Sequence, residues 1–306
     1  MRNTFADEFY ALGKEDPRLA VIVADISPAG SIAKFREHFP TRFINTGVAE
    51  QIMIGLAAGM AMRGLRPFAY TIATFALFRP YEFLRLDLGY QDLPVTVVGI
   101  GGGVTYSTLG GTHHAMEDIS IAASIPNMQV VAPCDPAETR ILTRYLATEN
   151  RKPTYMRLNK AGEPDLTATA EPFELGRVRY LRRGKDTCLL AYGPIVKQAL
   201  DVADALEARG ESVSVCSVHM IKPLDVEGIV EALKTHKRVV VLEEHVPHGG
   251  LTSRVKEVAW DNRASCELKA FTLKDAFIHC YGSHEELLAE HGLGFDAIAA
   301  SLGISE

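Results

Sequence analysis

Short apolar runs rich in β-branched residues alternate along the chain with longer segments of helical periodicity. In the first half the runs are VIVAD (21–25), RFIN (42–45), PFAYTI (67–72), PVTVVGI (94–100), MQVVAP (128–133) and TYMRL (154–158). Each has strand length, and PVTVVGI is apolar on both faces, as expected where helices cover a strand on either side. Helical spacing fills 49–63, 81–90 and 136–148 between them. From 159 to 185 the pattern breaks into a charged stretch with Pro and Gly, read as a linker over 161–185. The alternation restarts with TCLLAYG (187–193), SVSVCSV (212–218), RVVVLEE (238–244) and ELKAFTL (267–273), with helices over 195–209, 226–235 and 249–261. Strands alternating with helices predict parallel sheets. The expectation is an α/β fold of two doubly wound domains, 1–160 and the smaller 186–306.

Composition narrows the function. With 306 residues, 47% hydrophobic and 23% charged, the chain is an ordinary globular sequence, which excludes disorder. Acidic residues outnumber Lys and Arg by 38 to 32, a net charge of −6, and no dense basic block occurs, so nucleic acid is not an expected partner. Cys134, Cys188, Cys216, Cys266 and Cys280 are widely spaced with no CxxC pairing, which argues against a zinc ribbon and against a secreted disulfide scaffold. The first residues lack the basic-then-apolar pattern of a signal peptide, and no apolar run reaches about 18 residues. A cytoplasmic protein without membrane contact is expected. GxGxxG after a first strand and GxxxxGK[ST] are both absent.

Three places concentrate chemistry. Asn45-Thr46-Gly47-Val48-Ala49-Glu50-Gln51 runs from a strand end into a helix, placing Glu50 in a first turn at the edge where open α/β sheets bind ligands. By itself a first-turn acid does no more than complement the helix dipole. Thr74-Phe75-Ala76-Leu77-Phe78-Arg79-Pro80-Tyr81 gathers aromatics at spacing three, either core packing or a stacking wall for a planar heterocycle. The third is the loop 101–114, with five glycines in its first eleven residues and the adjacent His113 and His114 at its end. Adjacent histidines diverge, which disfavours a shared metal and leaves one of them as a proton donor in a cleft.

Taken in order, RFINTGVAEQ, TFALFRPY, GTHHAMEDI and PTYMRL resemble the pyrimidine-binding domain of transketolases, shared with deoxyxylulose-phosphate synthase and the β-subunit of 2-oxoacid dehydrogenases. Residues 187–306 resemble that family's small C-terminal domain, so the resemblance spans the chain. It implies thiamine diphosphate as coenzyme. Glu50 matches the glutamate that bonds the aminopyrimidine ring nitrogen, and a carboxyl group there favours the tautomer whose nitrogen can take the thiazolium C2 proton. Phe75, Phe78 and Tyr81 match the aromatic wall, with Phe78 as the stacking ring. His113 matches the histidine facing the substrate carbonyl or hydroxyl, and His114 stands where an amide is usual. Arg2 and Arg157 match two arginines that hold an acceptor phosphate, a task suited to a guanidinium fork.

The departures bear on substrate choice. Leu109 replaces an acidic residue that reads the donor's hydroxyls, Gly101 replaces a histidine and Ala29 replaces a serine. Lost hydrogen-bonding groups change specificity by orders of magnitude. The diphosphate end of the coenzyme needs a GDG…N motif with Mg2+, and no GDG occurs here. The resemblance therefore implies a split enzyme, with a partner subunit carrying Mg2+ and diphosphate and two such pairs forming an α2β2 heterotetramer. A transketolase acting on sugars or sugar phosphates is the leading expectation. A deoxyketose synthase, another 2-oxoacid decarboxylating enzyme and a non-catalytic interaction paralogue are the alternatives. Glu243-Glu244-His245 and His248-Gly249-Gly250 resemble the transketolase family's EEH…GG element, which implies a role in folding and subunit contact, and they have no standard zinc spacing.

Overall fold

The computed structural model describes residues 1–26, 30–160, 162–166 and 170–304. Helix α1 (Arg2–Glu15) leads into β1 (Leu19–Val23), α2 (Ser31–His38), β2 (Phe43–Asn45) and α3 (Glu50–Met62). Then come β3 (Arg66–Ile72), α4 (Ala73–Leu77) and α5 (Tyr81–Phe83), which runs on into a π-helical stretch, Leu84–Tyr90. The first half closes with β4 (Thr96–Ile100), α6 (Asp118–Ser124), β5 (Gln129–Val131), α7 (Pro136–Thr148) and β6 (Thr154–Leu158). Asp135 caps α7 by accepting the Glu138 N–H at 2.8 Å, with Pro136 pre-set for the first turn. These six strands pair in parallel in the order β5-β6-β4-β3-β1-β2. All carboxyl ends therefore meet one edge, where the candidate residues cluster.

The second half contains β7 (Arg179–Arg182), β8 (Thr187–Ala191), α8 (Ile195–Glu207), β9 (Val213–Ser217) and β10 (Met220–Lys222). It continues with α9 (Val226–Thr235), β11 (Arg238–Leu242), α10 (Leu251–Asp261), β12 (Glu267–Phe271), α11 (His284–Glu290) and α12 (Phe295–Ser301). Its sheet runs β12-β11-β8-β9-β7, parallel except for β7. Strand β10 leaves that half and pairs antiparallel with β5, extending the first sheet to seven strands. One hydrophobic cluster runs through both halves, from Met53, Val97 and Tyr155 to Cys188, Leu190 and Val241.

Several elements go beyond the sequence reading, and three bear on the fold's edges and core. Strand β7 lies inside the stretch read as linker, where the arginines of RYLRR mask its alternation. Strand β10 has only three residues. Helix α1 buries Phe5, Phe9 and Leu12, spaced four and three apart on one face. Phe5 stacks on Tyr70 at 5.8 Å, and Phe9 meets Phe68 edge-on at 4.8 Å and Phe35 at 5.0 Å. Phe9→Ala should cost about 3–5 kcal/mol and lower the melting temperature by several degrees. A loss below about 1 kcal/mol in chemical denaturation would contradict this packing.

Candidate active site

The turn between β2 and α3 is built by Asn45, whose side-chain oxygen accepts the N–H groups of Asp25 (3.0 Å) and Gly47 (2.9 Å). Gly47, at φ +70°, lets the chain reverse into α3. Glu50 then falls in the first turn of α3 and is 2% exposed. Arg79 Nη1 donates to both its oxygens, at 3.0 and 3.2 Å, and the guanidinium lies 4.3 Å above the Phe75 ring. The Phe75 and His113 rings meet edge to face, with centroids 5.1 Å apart. His113 in turn faces Tyr106 at 6.0 Å, and Lys160 Nζ stands 5.6 Å from the Tyr106 ring centre. Glu50, Phe75, His113 and Lys160 follow β2, β3, β4 and β6, one row across the carboxyl ends of the parallel sheet. A cavity of about 250 Å³ opens beside it, walled by Asp25, Glu50, Thr71, Phe75 and Arg79. A larger hollow of about 640 Å³ lies between α8 and α11, away from this row.

Burial, then the charge of Arg79, pushes His113 below the ordinary histidine range, so its ring is neutral at neutral pH. Thr112 Oγ1 lies 2.9 Å from its Nδ1 and orients the ring. His114 is buried and also pushed down, by burial first, and its Nε2 has no partner among the described residues. Arg2 lies beside Tyr70 and Tyr106, its charge opposing the burial that raises both phenols. Its buried Nε has no hydrogen-bond partner among the described residues.

The other predicted residues differ in how the fold holds them. Phe75 lines the cavity, and Phe78, half-buried three residues later, packs one side against the hydrophobic core. Tyr81 also packs there, its hydroxyl 2.8 Å from Ser124 Oγ. Arg157 does not offer a free fork to a phosphate. It is 5% exposed, donates to the Glu244 carbonyl (2.9 Å) and the Tyr192 hydroxyl (3.3 Å), and sits 3.4 Å from Asp118. Lys160, which sequence reasoning passed over, is the exposed cation just beyond that strand. Its signal was its place after β6, past the alternation that turns Arg157 inward. At Gly101, φ is +78° and a Cβ would come within 2.2 Å of the Tyr106 ring, so no histidine fits there. Leu109 stands half-exposed near the loop tip. Ala29 lies outside the described residues.

The Glu243-Glu244-His245 cluster is occupied by structural bonds. Glu243 accepts the Leu251 and Thr252 N–H groups at 2.8 Å each, anchoring the start of α10. His245 Nε2 accepts the Ser120 N–H at 3.2 Å in the first turn of α6. Glu244 Oε1 accepts the Val104 N–H at 2.7 Å and lies 2.8 Å from His284 Nε2. No group of three metal-ligating side chains gathers among the described residues, and no helix described is long and apolar enough to cross a membrane.

Residues 1–163 match the family described as "Transketolase, pyrimidine binding domain", and 176–298 match "Transketolase, C-terminal domain". The chain belongs to the transketolase family. It is 31% identical over 298 residues to an apulose-4-phosphate transketolase subunit of Phocaeicola vulgatus, covering 97% of this chain and 94% of that protein. It is 34% identical to a 1-deoxy-D-xylulose-5-phosphate synthase of Syntrophotalea carbinolica, covering 97% of this chain but 47% of that protein. Among solved structures it resembles a chain described as "Split gene transketolase, inactive beta4 tetramer", with a TM-score of 0.86, 34% identity and coverage of 99% and 96%. A titrating pair within the second half reaches the first half through the Val104 N–H that Glu244 accepts. Glu244's charge holds His284 above its ordinary pKa against burial. Burial alone would raise Glu244, but the charge and hydrogen bond of His284, then Arg157, leave it lowered.

The His284 contribution to stability is therefore complete below about pH 6.5 and lost as pH rises through its raised pKa. That of Glu244 is lost as pH falls through its lowered one. The part of the melting-temperature profile due to His284 should decline as pH rises above about 6.5 and should vanish in His284→Gln. An unchanged pH profile in that variant would contradict the assignment.

Proposed function

We propose that this chain is the pyrimidine-side subunit of a thiamine diphosphate-dependent transketolase. It would move a two-carbon ketol unit between sugar or sugar-phosphate substrates, in an active site completed by a separate subunit with the GDG motif, diphosphate and Mg2+. The observation that carries this reading is the row Glu50–Phe75–His113 along one sheet edge, beside a cavity with room for a single heterocyclic ring. The residues fit such a ring, with a buried carboxylate at one wall and an aromatic face at another. Arg79 leaves lone pairs of Glu50 free, because a carboxylate has about four acceptor sites.

When bound, thiamine diphosphate supplies the nucleophilic carbon and the electron sink for breaking and remaking a ketose C–C bond. Glu50 holds a proton at the ring nitrogen it faces. Phe75 excludes water from that side. His113, neutral at rest, takes a proton from a substrate hydroxyl or returns one to its oxygen, a step worth about 10²–10⁴ in rate. Arg2, whose Nε has no hydrogen-bond partner among the described residues, and Lys160 put positive charge beside Tyr106, suited to an acceptor with an anionic end. The Phocaeicola and Syntrophotalea relatives are both named for phosphorylated sugars.

The exposed apolar residues Val48, Ile52 and Met62 on and beside α3 favour an interface between two such chains, hence an α2β2 assembly. A relative described as an inactive tetramer of one subunit type favours a chain that is silent without its partner. A cytoplasmic enzyme completes this reading. The synthase relative favours a second reading, a decarboxylating ketose synthase, recognised by CO2 release from a 2-oxoacid donor that requires an aldose acceptor.

With the partner subunit present, Glu50→Gln should retain coenzyme binding while losing at least about a hundredfold in exchange of the coenzyme's C2 proton, measured by NMR. Parent-rate exchange in that variant would remove Glu50 from the chemistry. A complex without ketol transfer or decarboxylation would favour a non-catalytic interaction module.

A further inference from the structure

The loop bearing His113 is pinched at its base by the bridge between Gly103 and Ala115, with both N–H···O distances 2.8 Å. The residues flanking the pinch join the core of the second half. Val104 and Met116 are buried in the core of the second half, among Leu189, Val240 and Leu242. The Met116 carbonyl accepts the Val246 N–H at 2.9 Å. The Val104 N–H is taken by Glu244 Oε1, and Gly103, at φ +63°, leaves no room for a Cβ, which would lie 2.2 Å from that same oxygen. Both stems of the loop are thus set by groups at the carboxyl end of β11.

We propose that Glu244 and His284 are positioning residues for the reaction: the second half fixes where His113 stands by clamping the loop stem through the Glu244 carboxylate. The inference rests on the proton-handling role proposed for His113. Apolar packing alone would let Val104 and Met116 slide or rotate in their sockets. A carboxylate shared between one backbone N–H and one imidazole has a single good geometry, so it selects one loop position. His284 supplies the second bond at 2.8 Å and keeps the carboxylate from turning away from Val104. Glu244 is itself fixed, because Arg157 holds its backbone carbonyl at 2.9 Å. The clamp reaches only the stem, and the tip residues 105–114 are displaced as a body if it opens. A small displacement at this distance from the reacting atoms is enough to slow a step that depends on near-attack geometry.

The test uses His284→Ala and His284→Gln in the complex with the partner subunit, thiamine diphosphate and Mg2+. The donor is hydroxypyruvate, which has no C3 stereocentre and so avoids the loss of an acidic residue at Leu109. In His284→Ala, amide hydrogen exchange over 104–114 should rise about tenfold and turnover fall about tenfold, with coenzyme affinity changed less than about twofold. His284→Gln, whose amide N–H can still reach Glu244, should recover most of both. Exchange and turnover both unchanged in His284→Ala would overturn the proposal, as would faster exchange with parent turnover. Failure of the underlying reading shows separately: His113→Ala would then turn over like the parent, while the exchange result still reports on the clamp.

Discussion

Three consecutive glycines at the carboxyl end of β4 let side chains from three parts of the chain close over one strand end. Tyr106 from the loop itself lies on Gly101, Arg157 from β6 on Gly102, and Glu244 from the second half on Gly103. A Cβ at any of them would come within 2.2 Å of the covering side chain. The remaining architecture hangs on this contact. Arg157 brings Asp118, Tyr192 and the Glu244 backbone into one buried network between the halves, and Tyr155 joins it through a 2.8 Å bond to Asp118. Such buried charges are costly unless fully partnered, and they fix a single arrangement of the surfaces that hold them.

From that fixed seam the site follows. Tyr106 is held against the strand end and presents its ring to His113 and Lys160, and His113 and Phe75 meet edge to face. The ring of Phe75 carries the guanidinium that pairs with Glu50. Arg79 thereby links the two titratable ends of the row: it neutralises the buried carboxylate and helps keep His113 uncharged. A neutral histidine and a carboxylate held by an arginine, on one row of the sheet edge, suit stepwise proton handling.

Much of this was legible in the sequence because the decisive elements are strongly periodic. PVTVVGI reads as a doubly covered strand and is one. The turn NTGVAE reads as a strand-to-helix entry, and Glu50 sits buried in that first turn. What escaped the reading has physical reasons. Arg157 and Tyr155 share a face of β6 by the twofold alternation, so both turn inward to Asp118, while Lys160 lies past the strand and escapes that constraint. Glycines 101–103 make room for a close approach, and what approaches them is protein. That approach depends on Glu244, 141 positions after Gly103. Strands β7 and β10 sit at sheet edges, where charge and short length hide the pattern.

The central claim is that this chain holds one half of a coenzyme site. Titration calorimetry with thiamine diphosphate and Mg2+ tests it most directly, on this chain alone, on the GDG-containing partner alone and on the two together. The account predicts tight binding, with about one coenzyme per pair, only for the mixture. Tight binding by this chain alone would contradict it, and so would a mixture in which the two chains associate without binding coenzyme.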